Sequence, residues 1–296
     1  MNNQKPAIAT PVRTRAIIEA YGLNFKKSLG QNFLTDVSLL QKMVAAAEVS
    51  SADNVIEIGP GIGALTEQLA QKAHRVLALE VDERLLPVLQ ETLADYDNLT
   101  ILHQDILQAN LPELVQKYFA DQRPVKVVAN LPYYITSPII KFLLKQPGKL
   151  DTIAVMVQKE VAMRLAAQPG TKAYGALSIL VQYQKKVELV LNVPKTSFMP
   201  QPKVDSAVIR LTKRTAVYPD LLSEQAFVQV VHGCFLHRRK NLKNNLQGLC
   251  GKDPTVKQAL AAILAELKIL PTVRPEELAI SDFIHLTNLL VKNKLI

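Results

Sequence analysis

Asn130, Leu131, Pro132 and Tyr133 stand in a row at the end of a largely apolar run, Val125 to Ala129, that reads as a buried parallel strand. The row gathers a side-chain amide, a backbone carbonyl and an aromatic ring at the carboxyl edge of a sheet, where open α/β folds bind ligands. Such a set can hold a planar base that carries an exocyclic amine. The Asn130 amide oxygen and the Leu131 carbonyl can each accept one amine hydrogen, and the Tyr133 ring can cover the face of the base. The same residues also suit a strand followed by an ordinary turn.

A second motif lies upstream, where Asn54-Val55-Ile56-Glu57-Ile58 runs into Gly59-Pro60-Gly61-Ile62-Gly63 and a helical pattern follows at once. Glycines at alternate positions let the backbone turn sharply and come close to a ligand. Thr66 stands where the dinucleotide fingerprint wants its last glycine, which argues against a pyrophosphate cofactor and suits a nucleoside with an amino-acid tail. The next strand, Arg75 to Glu80, ends on a carboxylate placed to accept both hydrogens of a ribose diol. A third strand, Leu99 to His103, leads to Asp105, placed to accept from an adenine amine, although Asp82 and Asp105 also suit helix caps. Carboxylates after two successive strands, between a glycine loop and Asn130, form an ordered series along one sheet edge.

With these residues in view, the chain resembles the ribosomal RNA adenine N6,N6-dimethyltransferases, and among them the bacterial small-subunit (16S) branch. The resemblance is carried by Lys27-Ser28-Leu29-Gly30-Gln31-Asn32-Phe33-Leu34, the loop Glu57 to Gly63, Glu80, Asp105, Asn130 to Tyr133, Phe198 with Pro200-x-Pro202-Lys203-Val204-Asp205-Ser206, and Phe235-x-x-Arg238-Arg239-Lys240. It implies S-adenosyl-L-methionine as cofactor, with Asn32, Leu34, Gly59, Gly61, Gly63, Glu80, Asp105 and Asn130 as contacts. It further implies Asn130, Leu131, Pro132 and Tyr133 around the target amine, with Phe198 stacked on the opposite face of the adenine. The implied substrate is a pair of adjacent adenosines in the 3′-terminal hairpin loop of 16S rRNA, within the small ribosomal subunit or its precursor. Competing readings are a non-catalytic rRNA-binding assembly factor on the same fold, a large-subunit rRNA adenine methyltransferase, and a nicotinamide oxidoreductase that the glycine spacing disfavours.

Composition agrees with an RNA partner. A formal net charge of +9 favours a polyanion, because Lys and Arg contacts to phosphate supply most sequence-independent nucleic-acid affinity. Lys26 and Lys27 before the Asn32 segment, Lys195 and Lys203 around Phe198, and Arg238, Arg239, Lys240 and Lys243 near the C-terminal part are the expected RNA contacts. Cations at a helix C-terminus also answer the helix dipole. Two cysteines give no disulfide framework, and no apolar stretch approaches the roughly eighteen residues a bilayer span needs. Residues 1–15 lack an apolar signal core, so the expected setting is cytoplasmic, without a membrane, and the expected state is a monomer. His232, Cys234, His237 and Cys250 match no zinc spacing, and Ala226 to Leu236 reads as a core helix, so no metal is expected.

The elements that must position these residues alternate. Strands are expected over 54–58, 75–80, 99–103, 125–129 and 151–157, and helices over 64–72, 83–94, 112–119, 137–145 and 158–167, the pattern of a doubly wound parallel sheet. Residues 187–193 and 206–211 are β-branched runs around a Pro-rich loop and read as an antiparallel edge pair. Beyond about residue 214 the pattern is helical only, over 224–238, 255–267 and 281–291. The expected organisation is a flexible basic arm over 1–13, a Rossmann-like catalytic domain over 14–213, and a smaller all-α, RNA-contacting domain over 214–296.

Overall fold

Apolar segments that each end in a turn become parallel neighbours in one sheet. The computed structural model describes residues 6–23, 31–146, 150–214, 218, 220–237 and 239–296. These run in chain order as α1 (Pro11–Ala20), β1 (Phe33–Leu34), α2 (Val37–Ala46), β2 (Asn54–Ile58), α3 (Ala64–Ala70), β3 (Arg75–Glu80), α4 (Leu86–Thr92), β4 (Leu99–His103), α5 (Leu111–Tyr118), β5 (Val125–Asn130), α6 (Thr136–Leu144), β6 (Thr152–Gln158) and α7 (Lys159–Leu165). There follow α8 (Ala176–Gln184), β7 (Lys185–Val193), β8 (Phe198–Met199), β9 (Ser206–Lys213), α9 (Glu224–Cys234), α10 (Leu242–Cys250), α11 (Pro254–Glu266) and α12 (Ile280–Lys292).

A seven-stranded sheet has the order β4-β3-β2-β5-β6-β9-β7. Its first five strands are parallel, and β9 joins β6 antiparallel. Order reverses beside β2, the first of these strands in the chain, so the carboxyl ends of β2, β3 and β5 face one crevice. Every residue of β2 is buried, as are Val125–Ala129 of β5, because helices cover both faces. A separate two-stranded pair sets β1 against β8, with Phe33 opposite Met199 and Leu34 opposite Phe198.

The chain divides into two compact units, one comprising residues up to 162 with 186–213, the other 163–185 with 214–296. In the first unit an apolar cluster runs from Ile8 to Val208. In the second, Tyr174 and Ile179 pack into a core with Phe227, Leu246, Leu264 and Phe283. Residues 163–185, read from sequence as part of the first domain, therefore belong with the helices: their apolar side chains complete the second core.

The expected flexible arm is also corrected, for its described part. Ile8 and Ala9 are fully buried, and the Ile8 amide donates to Glu67 Oε2 at 2.9 Å. Thr10 caps α1, and the buried Thr14 hydroxyl donates to the Ile8 carbonyl at 2.8 Å. The contact joins residues 59 apart in the chain, a distance at which local pattern carries no signal.

Candidate active site

The crevice at the carboxyl ends of β5, β2 and β3 encloses about 820 Å³, part of it continuous with solvent. Its floor is the glycine loop, where Gly59, Gly61 and Gly63 all take positive φ. Gly61 leaves no room for a side chain: a Cβ there would lie 3.0 Å from the Phe33 ring, and its amide donates to Glu80 Oε2 at 3.1 Å. Gly63 does different work from that expected. It caps α3 against Leu93, whose Cδ1 would sit 2.9 Å from an added Cβ, and it does not line the crevice.

Glu80 is buried and held by three backbone amides, Gly61 on one oxygen and Val81 and Asp82 on the other, both of these at 2.9 Å. Burial raises its pKa while those amides oppose the rise. Oε2, which accepts from Gly61 alone, keeps a second lone-pair direction, so the group can still accept from a ligand hydroxyl. Asp82 is drawn down to about 2, chiefly by the Arg84 guanidinium, and Gln31 Nε2 donates to it at 2.9 Å. That bond pins the segment carrying Asn32 and Leu34 to the end of β3.

Asn130 lies at the end of β5 with its amide orientation settled by a neighbour. Nδ2 donates to the Asn32 carbonyl at 3.2 Å, and a carbonyl only accepts, so Oδ1 is the atom left for the crevice. The Leu131 amide donates to the Met156 carbonyl at 3.1 Å, and among the described residues no hydrogen bond ends on the Leu131 carbonyl. Asn32, Leu34, Asn130, Leu131, Pro132 and Tyr133 all line the crevice. The Tyr133 hydroxyl is bonded to Ser206 Oγ at 2.6 Å, and burial pushes its pKa up.

Besides Gly63, two expected residues stand outside this lining. Asp105 caps the 3-10 turn Ile106–Gln108, accepting from the Leu107 amide at 2.9 Å, which is the capping use left open by the sequence. Phe198 is buried in the apolar cluster and paired with Leu34, so stacking on a base is not available to it in this arrangement. Lys195 and Lys203 are exposed on the segments flanking β8. Arg239 and Lys240 are exposed on the turn after α9, and Lys243 is half-buried on α10. Lys26, Lys27 and Arg238 fall outside the described residues.

Two lining residues escaped the sequence reading. Glu57 is fully buried, its Oε2 finds no hydrogen-bond partner among the described residues, and burial, seconded by the Glu80 charge, pushes its pKa up to about 8. Its place directly before the glycine loop was the available signal. Tyr134 is 56% exposed at the rim. Its hydroxyl is shifted upward by burial first and then by Asp105 and Glu80.

A family model described as ribosomal RNA adenine dimethylase matches residues 22–292. A ribosomal RNA small subunit methyltransferase A of Ligilactobacillus salivarius is 56% identical over 292 residues, 99% of each chain. The protein of that name from Bacillus cytotoxicus is 52% identical over 288 residues, 97% of this chain and 99% of its own. Among solved structures, a dimethyladenosine transferase from Plasmodium falciparum superposes with a TM-score of 0.72 at 28% identity, over 88% of this chain and 98% of its own. The 23S rRNA methyltransferase ErmE does so with a TM-score of 0.64 at 28% identity, over 87% of this chain and 99% of its own.

Proposed function

The chain belongs to the ribosomal RNA adenine dimethylase family, and on that premise we propose that it transfers methyl groups from S-adenosyl-L-methionine to the N6 amines of two adjacent adenosines in the 3′-terminal hairpin loop of 16S rRNA. The observation that carries the reading is the Asn130 amide, whose nitrogen is spent on the Asn32 carbonyl and whose oxygen remains as an acceptor beside the crevice.

The residues fit the cofactor by an independent criterion. A fully buried carboxyl with an unpartnered oxygen, Glu57, lines the crevice and lacks a cation; the ammonium of an amino-acid tail is one. Glu80 would take the ribose diol, Gly59 and Gly61 would let the ligand approach the backbone, and Asn32 and Leu34 would form the facing wall. Asp105 would accept from the cofactor's adenine amine while keeping its cap. When bound, the cofactor supplies an electrophilic sulfonium methyl.

The chain's own task is to shape the acceptor. Adenine N6 is a weak nucleophile because its lone pair is delocalised into the ring. Asn130 Oδ1 and the Leu131 carbonyl, accepting one amine hydrogen each, favour a pyramidal nitrogen and stabilise the positive charge that grows on it. Tyr133, its hydroxyl tied to Ser206, presents a fixed ring to the face of the base. A base turned out of an RNA loop gains on the order of 1–3 kcal/mol from such stacking. After the first transfer one amine hydrogen is lost, so the second transfer proceeds with one acceptor. Phe198 reaches the opposite face only if β8 leaves its pairing with β1.

Lys195, Lys203, Arg239, Lys240 and Lys243 would meet RNA phosphate, and the enzyme would act as a cytoplasmic monomer on the small subunit or its precursor. No helix among the described residues is long and apolar enough to cross a membrane. Incubation with labelled cofactor and a mixture of unmodified small and large subunits, followed by mapping of the modified bases, tests the reading. Label on two neighbouring adenosines near the 16S 3′ end is expected; no label, or label on the large-subunit RNA, refutes it.

A further inference from the structure

Two tyrosines follow one another in the turn after β5, and they face different halves of the crevice. Tyr133 is tied to Ser206 on β9, which lies beyond β6 on one side of β5. Tyr134 lines the crevice together with Glu80 and Val81 at the end of β3, on the other side of β5, where the charges of Glu80 and Asp105 reach its hydroxyl. The turn that separates them is fixed. The Ile135 amide and the Thr136 hydroxyl both donate to the Pro132 carbonyl, at 3.2 Å and 3.0 Å. The helix that follows, α6, packs against the 3-10 turn that Asp105 caps. Tyr134 therefore overlooks the half of the crevice lined by Glu80, with Asp105 just beyond that lining, and the residue is more than half exposed.

The geometry points to Tyr134 as a cofactor-contacting residue, its ring closing over the nucleoside seated between Glu80 and Asp105, while Tyr133 serves the target base. The inference rests on the cofactor reading above and adds a residue to it. An aromatic face is the natural cover for a purine, because stacking removes both from water without asking for directed hydrogen bonds. The hydroxyl is not needed for that work, and its two carboxylate neighbours already offer the acceptors a nucleoside requires. Adjacent rings in one rigid turn would then hold two adenines, one from each ligand, on either side of the atom to be transferred.

The chain has no tryptophan, so Tyr134→Trp places a single indole at the rim, excited apart from the tyrosines at the red edge of its absorption. Titration with S-adenosylhomocysteine, which carries the nucleoside without the methyl, is expected to change its emission saturably. By calorimetry, Tyr134→Ala is expected to weaken S-adenosylhomocysteine about tenfold, with Tyr134→Phe restoring most of that loss and KM for the RNA unmoved in both. Wild-type affinity in Tyr134→Ala, or a loss that appears only in KM for the RNA, overturns the inference and leaves the methyltransferase reading standing. Failure of the wild-type chain to bind S-adenosylhomocysteine overturns both.

Discussion

In the crevice, three backbone amides converge on Glu80 and one carbonyl fixes the amide of Asn130, so these two side chains are held in place before any ligand arrives. In the helical unit, the basic turn after α9 is held from within by one buried side chain. Asn245 accepts from the His237 amide at 3.1 Å and donates to the carbonyls of His237, Lys240 and Asn241, while Arg239 and Lys240 project exposed. The contrast fits the two tasks proposed for these regions. Orienting a lone pair toward a carbon requires positions fixed to a fraction of an ångström, and pre-set dipoles supply them. Gripping phosphate requires only charge within reach, and long cationic side chains supply that with little ordering.

Substitutions should separate the two regions. The largest effect is expected from Asn130→Ala, which removes the acceptor: single-turnover transfer should fall about 10²–10³-fold, with cofactor affinity changed only a few-fold. Retained turnover would erase the distinction between the regions. Next comes Glu57→Gln. A carboxyl whose folded pKa is raised from 4.5 to about 8 binds more protons when folded, so stability is greatest at low pH and falls as pH rises between those values. The loss should be on the order of a few kcal/mol by pH 9, and Glu57→Gln should remove that slope in ligand-free melts while changing little at pH 4. A slope that persists in the variant would assign it to other groups.

Gly61→Ala should cost about 1–3 kcal/mol from its left-handed backbone and should loosen the cofactor by pushing on Phe33. Melting and calorimetric titration check both parts. Asn245→Ala should cost about 1–3 kcal/mol, because it strips the turn's buried polar partners. It should raise KM for the subunit while leaving cofactor affinity unmoved. The smallest change per residue is expected from the exposed cations. Together, Arg239→Ala, Lys240→Ala and Lys243→Ala should flatten the plot of log affinity against log salt by about two to three, with the transfer rate at saturation preserved. An unchanged slope would remove this turn from the RNA contact surface.

Much of the crevice was legible because its chemistry sits at strand ends, where hydrophobic pattern and turn residues locate both the strand and its last side chain. Glu80 and Asn130 are of this kind. What escaped depends on contacts that sequence spacing does not encode. The N-terminal segment looked mobile because its anchor, Glu67, is far away in the chain. The helix α8 and its surroundings looked like part of the first domain because only their packing among later helices, as at Tyr174 and Ile179, shows otherwise. The expected helix over 224–238 stops at Cys234, since Asn245 claims the His237 amide and turns the backbone there. Gly63 and Phe198 bear motif positions whose side-chain surroundings are apolar and internal, a fact fixed by Leu93 and by the β1–β8 pairing. Tyr134 was overlooked beside Tyr133 because adjacent identical residues in a turn give no sign of which way each one faces.

The account turns on the acceptor geometry at Asn130. A crystal structure with S-adenosylhomocysteine and an adenosine-bearing RNA fragment measures it directly. The target N6 is expected about 2.7–3.2 Å from Asn130 Oδ1, with Nδ2 still on the Asn32 carbonyl. An amide turned so that its nitrogen faces the base, or a base seated away from residues 130–133, would contradict it.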